Sequence, residues 1–175
     1  WRCDKDVSGG GELLDQGVHI IDLCRWFIDD QVKQVYGKTF TSFWDIAVDD
    51  NAFFNLEFSN SVYAQCHVSW TNWKNVFSFE IFGSNGYIHI QGLGGSYGLE
   101  TLEIGHRNKN GGKPEIKEYS YPDEDDSWSM EWQNFKKGIE TGSQIIGDAL
   151  DGHYANLIID AIYRSNEKNG PVPIS

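Results

Sequence analysis

The spacing of hydrophobic positions changes twice along the chain. Over residues 11–28, "GELLDQGVHIIDLCRWFI", apolar side chains recur at helical spacing and cover most of the circumference. This predicts one helix, opened by glycines and a preceding Ser8. Short segments follow: "VYGKTFTSFW", "DDNAFFNLEF", "SVYAQCHVSW", "FSFEIFG", "YIHIQGL", "LETLEIGHR" and "EIKEYSYP". Each is rich in β-branched or aromatic residues and edged by Asn, Gly, Ser or Asp, the pattern of six or seven strands and their turns. In "SVYAQCHVSW", Val62, Ala64, Cys66, Val68 and Trp70 alternate with Tyr63, Gln65, His67 and Ser69, so one face is core and the other polar and aromatic. "FSNS" near Asn60 and "GSNG" near Asn85 predict hairpin turns in which Asn and Gly supply positive φ. Beyond Tyr121 the helical period returns. Trp128, Trp132, Phe135 and Ile139 mark one helix; Leu150, Tyr154, Leu157, Ile158, Ala161 and Ile162 mark a longer one, stopped by "KNGPVP".

These elements predict an α+β fold: a mostly antiparallel open β-sheet with helices packed on one face. Phe53, Tyr63, His67 and Tyr87 place on the other face more aromatic surface than a monomer exposes, which leaves that face available for oligomerisation.

Composition narrows the picture. The chain has 175 residues, of which 39% are hydrophobic and 23% charged, as in one globular domain with a proper core. A formal net charge of −12 without a basic patch excludes nucleic acid as a partner. No apolar run is long enough to span a membrane, and the opening residues lack a signal-peptide pattern. Cys3, Cys24 and Cys66 are odd in number and lack paired spacing, which fits reduced thiols in a cytoplasm. The abrupt start at Trp1 reads as a piece of a longer protein.

The first helix carries the candidate chemistry. At 100° per residue, Asp15, His19, Asp22 and Trp26 fall within an arc of about 60°, opposite the apolar arc. Gly17 lies within the apolar arc, which predicts close approach of another backbone. Short charged side chains are held rigidly near the backbone, and histidine is the residue type whose unperturbed pKa lies near 6.5. A carboxylate one turn before His19 would orient the ring and stabilise its protonated form, as a general base needs. The pattern equally describes an ordinary i, i+4 surface pair contributing a few tenths of a kcal/mol. A metal is not expected, because His67, His89, His106 and His153 are scattered away from companion spacing. Arg2 is a candidate for a substrate carboxylate or phosphate, or a plain surface Arg. Trp70 and Trp73, in "SWTNW", are candidates for stacking on a sugar face, or core residues.

"SGGGELLDQGVHIIDLCRWF" resembles the signature that opens the carboxy-terminal domain of the Gfo/Idh/MocA oxidoreductases, the glucose–fructose oxidoreductase and inositol dehydrogenase family. That signature is a glycine triplet, an Asp, Gly-x-His, Ile-Asp-Leu and an aromatic pair. "WRCD", "FEIFGSNGYIHI" and "DGHYANLIIDAIYRSNEKNGPVPI" resemble further parts, so the likeness covers almost all of the chain. The resemblance implies hydride transfer between NAD or NADP and a sugar, sugar derivative or polyol. It implies His19 as general base, Asp15 orienting it and contacting substrate, and Asp22 binding substrate hydroxyls.

The family's usual amino-terminal Rossmann domain is missing. "GLGGSYG" has Tyr97 where the third glycine of the fingerprint belongs and joins strands, and "GGKP" has Gly where the acid of the family's lysine motif would stand. Residues 1–175 are thus expected to be a substrate-binding and oligomerisation domain, with the dinucleotide held mainly by the absent domain. Alone, such a piece is expected to be inactive; the intact protein is expected to be a homodimer or homotetramer built through the sheet. A non-catalytic sugar-binding and dimerisation module is the alternative.

Overall fold

The alternating segments form two antiparallel sheets of four strands each, in place of the single sheet expected. The structure is a computed structural model that describes residues 1–174. In chain order the elements are α1 (Lys5–Ser8), a π-helical turn (Leu13–Gly17), α2 (Val18–Ile28), β1 (Val32–Phe40), β2 (Asn51–Phe58), β3 (Tyr63–Ser69), β4 (Ser78–Gly83), β5 (Gly86–Gln91), β6 (Glu100–His106), β7 (Glu115–Tyr121), α3 (Ser127–Thr141), α4 (Ala149–Lys168) and β8 (Val172–Pro173). They fall into two compact units, one of Trp1–Thr71 with the segment from Gly147 onward, the other of Asn72–Ile146.

The first unit contains the sheet β3-β2-β1-β8 with helices on one face. The registers set Val35 opposite Leu56 and Ala64, and Gly37 opposite Phe54 and Cys66, so the buried residues of three strands share that face. Helix α4 covers it with Ala155, Ile158, Ile159, Ala161, Ile162 and Ser165. Burial of one such Ile, Leu or Phe contributes about 1.5–3 kcal/mol. Gly37 admits the helix: a Cβ there would lie 2.5 Å from Ile162 Cγ2, and its N–H donates to Ser165 Oγ at 3.0 Å. The core stripe of α4 begins at Ala155; Leu150 and Tyr154, expected to belong to it, are exposed. Strand β8 was not expected from "KNGPVP". It is an edge strand, where the missing N–H of Pro173 is tolerated.

On the outer face Phe53 lies opposite His67, and their rings stack at 4.0 Å with Phe40 following at 6.1 Å. In the hairpin between β2 and β3 the positive φ falls on Ser61, not Asn60. Asn60 is held instead by its side chain, which accepts the Val62 N–H, and by its own N–H, which donates to Asp30.

The second unit contains the sheet β4-β5-β6-β7 and α3. Tyr87 does not present the exposed ring expected of it. It is half-buried over Gly105, where any Cβ would strike the ring, and its hydroxyl donates to Glu103. Helix α3 forms where the period placed it, yet Trp128, Trp132, Phe135 and Ile139 are all exposed. Its buried position is Gly138, which Ile145 covers. No helix among the described residues is long and apolar enough to cross a membrane.

Candidate active site

The glycine triplet is explained by one distant aspartate. Asp49, buried at the end of the loop between β1 and β2, reaches the start of the first helix with its side chain and its backbone. Its carboxylate accepts the Leu13 N–H at 2.8 Å and the Gly11 N–H at 3.2 Å, while its carbonyl accepts the Glu12 N–H at 2.8 Å. This is an N-cap supplied from 36 and 38 residues away, meeting donors that a helix start leaves unpaired. A Cβ at Gly11 would run into the Asp49 backbone, and one at Gly10 would lie 2.6 Å from the Tyr163 hydroxyl. Tyr163, on α4, donates that hydroxyl to Asp49 at 2.8 Å. Burial, with the Asp49 charge beside it, pushes the Tyr163 phenol up, so it stays a donor.

The helix differs from its expected form. Leu13–Gly17 is a π-turn, whose hydrogen bonds close loops one residue longer than those of an α-helix, before the α-helix begins at Val18. A uniform 100° step therefore does not carry Asp15 onto the line of His19. No hydrogen bond or ion pair joins Asp15 to His19 among the described residues; Asp15 instead faces Arg2, Nε to Oδ1 at 3.6 Å, and accepts from Gln16 at 3.3 Å. The close neighbours of Gly17 are side chains and not backbone: a Cβ there would lie 2.9 Å from Leu13 and 3.7 Å from Val68.

His19 projects from α2 into solvent. One turn further, Asp22 pairs with Arg25 at 3.3 Å. Arg25 also reaches Asp151 at 3.4 Å and lies 5.1 Å over the Tyr154 ring, so it ties α2 to the start of α4. Trp26 is exposed, as its place on the polar arc requires, and Phe27 beside it is exposed too although the pattern put it on the apolar arc. The structure thus brings Arg2 and Asp15 together, with Trp1, Ser8, Gly10, Leu14 and Trp70, around a hollow of about 180 Å³. Trp73 is exposed, with φ of 56°, in the second unit.

Four residues of the site gave no signal in the hydrophobic pattern: Glu12, Asp49, Tyr163 and Arg25. Only Arg25 had a local sign, its i+3 spacing from Asp22. Glu12 is enclosed, 3% exposed, and its Oε2 has no hydrogen-bond partner among the described residues. Burial, then the charges of Asp15 and Asp49, push its carboxyl up to about 8, against the Trp70 side chain and Ser69 backbone, which favour the ionised form. Asp50 is the opposite case. Burial works against its charge, but the Phe43, Ser42 and Trp44 N–H groups and the Asn51 amide hold it well below the carboxylate range.

Among the described residues no group of three or more His, Cys, Asp and Glu side chains is placed to hold a metal ion. The glycine-rich run at residues 92–98 links β5 to β6, so it opens no helix on which a pyrophosphate would sit.

Among the curated proteins that share sequence with the chain are the following two. One is D-xylose 1-dehydrogenase (NADP(+)) of Haloarcula marismortui, 23% identical over 98% of this chain and 46% of that protein. The other is 1,5-anhydro-D-fructose reductase of Ensifer adhaerens, 30% identical over 49% of this chain and 26% of that protein. Among solved structures, levoglucosan dehydrogenase in complex with NADH and levoglucosan superposes with a TM-score of 0.85 at 21% identity, covering 99% of this chain and 53% of that one. Aldose-aldose oxidoreductase from Caulobacter crescentus, complexed with glycerol, gives 0.81 at 22% identity over 99% and 50%. At these identities the structural matches establish the fold. The chain spans less than half the length of the two curated relatives and about half that of the solved chains. A profile of the GFO/IDH/MocA C-terminal domain matches residues 1–89, half of the chain. The chain therefore belongs to the GFO/IDH/MocA family, with the sugar dehydrogenases and reductases among its relatives.

Proposed function

We propose that the intact protein is an NAD(P)-dependent oxidoreductase that transfers hydride between the nicotinamide and a carbon of a sugar, sugar derivative or polyol. His19 acts as the base. The observation that carries this reading is the placement of His19: an exposed imidazole on a helix whose start is clamped from the sheet, with Asp15 and Asp22 on neighbouring turns. A nicotinamide cofactor, NAD or NADP, bound mainly by a domain outside this chain, would supply the hydride acceptor. The residues of this chain do the rest. As hydride leaves a carbinol carbon the attached oxygen must lose its proton, and an accessible imidazole nitrogen can take it.

The paired charges fit a neutral polyhydroxy substrate. Asp15 with Arg2, and Asp22 with Arg25, each combine acceptor oxygens with donor N–H groups, which is what vicinal hydroxyls need. Because Asp15 already meets the Arg2 charge, Arg2 is better suited to a hydroxyl than to a substrate carboxylate or phosphate. Asp15 acts on the substrate directly, since it does not hold the imidazole in this structure. Trp73, in the second unit, is a separate candidate for stacking on a sugar. The three free cysteines accord with a cytoplasmic protein, and the chain alone would turn nothing over. The outer face of β1 to β3 is assigned to a second copy, in a homodimer or homotetramer, on the strength of its stacked Phe40, Phe53 and His67 and exposed Tyr63.

The test is turnover by the full-length protein on a panel of sugars and polyols with each nicotinamide cofactor. His19→Ala is expected to lower kcat/KM by about a hundredfold or more, the scale of general-base loss, with unchanged circular dichroism. Wild-type rates in that variant remove His19 from the mechanism; sugar binding without turnover by any wild-type combination replaces the enzyme with a binding module.

A further inference from the structure

Glu12 is buried without a partner for Oε2, next to the residues proposed to bind substrate. Its backbone explains why it stays there. The Glu12 N–H is bonded to the Asp49 carbonyl, the N–H groups on either side are bonded to the Asp49 carboxylate, and Gly11 is packed against the Asp49 backbone. That clamp fixes the backbone from which the Glu12 side chain projects, at the start of the π-turn that carries Asp15. The groups facing Glu12 come from three elements: Asp15 on its own turn, Asp49 from the loop before β2, and Ser69 and Trp70 at the end of β3. Tyr163, from α4, reaches Asp49 and keeps its proton. No Lys, Arg or His forms an ion pair with Glu12 among the described residues, and Arg2 is directed to Asp15.

A carboxylate at this position would be a third negative charge in a cluster where Asp15 has Arg2 and Asp49 has the Gly11 and Leu13 N–H groups and the Tyr163 hydroxyl, while the Glu12 Oε2 has no partner among the described residues. We propose that Glu12 is a positioning residue of the substrate site that acts as an un-ionised acid wedged between Asp15, Asp49 and Trp70, and that losing its proton disarms the site. The neutral carboxyl fills the space beneath Asp15, lets Asp15 keep its charge for Arg2 and for substrate, and leaves the Asp49 clamp intact. Ionisation puts an unpaired charge in that space, and the relief open to it, admitting water or expelling the side chain, loosens the turn that holds Asp15. Since the group gives up its proton at about pH 8, the site is armed at neutral pH and disarmed in mild alkali.

This inference rests on the proposed function, and two measurements on the full-length protein separate them. The first is the pH profile of kcat/KM for alcohol oxidation in the wild type and in Glu12→Gln, which keeps shape and neutrality but has no proton to lose. Wild-type kcat/KM is expected to fall about tenfold per pH unit above pH 8, the limiting slope for loss of one essential proton. In Glu12→Gln that alkaline limb is expected to disappear, whatever the variant's rate at pH 7. An unchanged limb, or a folded Gln variant inactive at every pH, overturns the role. The second is denaturant unfolding from pH 5 to pH 9, which needs no activity. The folded carboxyl binds its proton more tightly than the unfolded one, so the wild type loses stability as pH rises from about 4.5 to about 8. The stability of Glu12→Gln relative to wild type is therefore expected to climb through that window and level off above it. A flat difference shows that Glu12 is ionised in the fold and overturns the inference. If the wild type turns over no substrate at all, the proposed function falls and the site role falls with it; the unfolding curves still decide whether the acid is neutral.

Discussion

Gly11 carries no functional group, yet the geometry of the site depends on its lacking one. The space a methyl would take is filled by the Asp49 backbone, so Gly11→Ala must push the β1–β2 loop away from the helix start. The expected cost is about 1–3 kcal/mol in denaturant unfolding, the scale of overpacking, with a further loss of substrate affinity as Leu13 and Glu12 lose their carboxylate and carbonyl partners, respectively. Stability equal to the wild type would mean that the clamp is looser than described. The residues that sequence could show are those whose meaning is local. The glycine run, Asp15, His19 and Asp22 stand within fourteen positions of one another, from Gly9 to Asp22, and their spacing can be read without a fold. Glu12, Asp49 and Tyr163 could not be read in this way. Their contacts span 36 to 152 residues, and a Glu beside a Leu pair reads as a solvated helical residue until the loop before β2 closes over it.

At the scale of elements, periodicity found the longer helices and β1 to β7 and misjudged how the first of those helices turns. The π-turn at Leu13–Gly17 breaks the assumption of a constant step, which is why an Asp placed one turn before His19 faces Arg2 instead. In α3 the stripe was correctly spaced, but spacing does not say what covers a stripe. Residues 41–44, read from the sequence as the end of a strand, lie instead in the loop between β1 and β2, whose order comes from Asp50. One buried carboxylate accepts from the backbones of Ser42, Phe43 and Trp44 and so fixes an otherwise exposed aromatic pair. Replacing it, Asp50→Ala, is expected to speed amide hydrogen exchange at Phe43 and Trp44 by about tenfold or more, since a hydrogen bond to a charged group contributes about 1.5–3 kcal/mol. Unchanged exchange would place the order of this loop elsewhere.

At the scale of the molecule, the α+β class was legible because strand and helix grammar occupy separate stretches of the chain. The division into two sheets was not, because no turn signal near residue 71 differs from those of an ordinary hairpin. The outer face of the first sheet is where assembly can be tested. Phe53 is half-exposed and stacked on His67, whose desolvation lowers its affinity for a proton and keeps the ring neutral. Phe53→Glu would set a charge in the middle of that surface and is expected to convert the proposed oligomer of the intact protein to monomer by light scattering at micromolar concentration. An unchanged mass would move the contact off this face.

The long reach of Asp49 has one last consequence. Residues 9–28 look like a portable cassette, but the peptide does not contain its own fastening. Grafted onto another scaffold it would bring the imidazole and both acids without the bracket that holds them in place. During folding, too, the geometry of the proposed site can arise only after the first strands have paired, so recovery of the proposed activity should trail the appearance of the sheet.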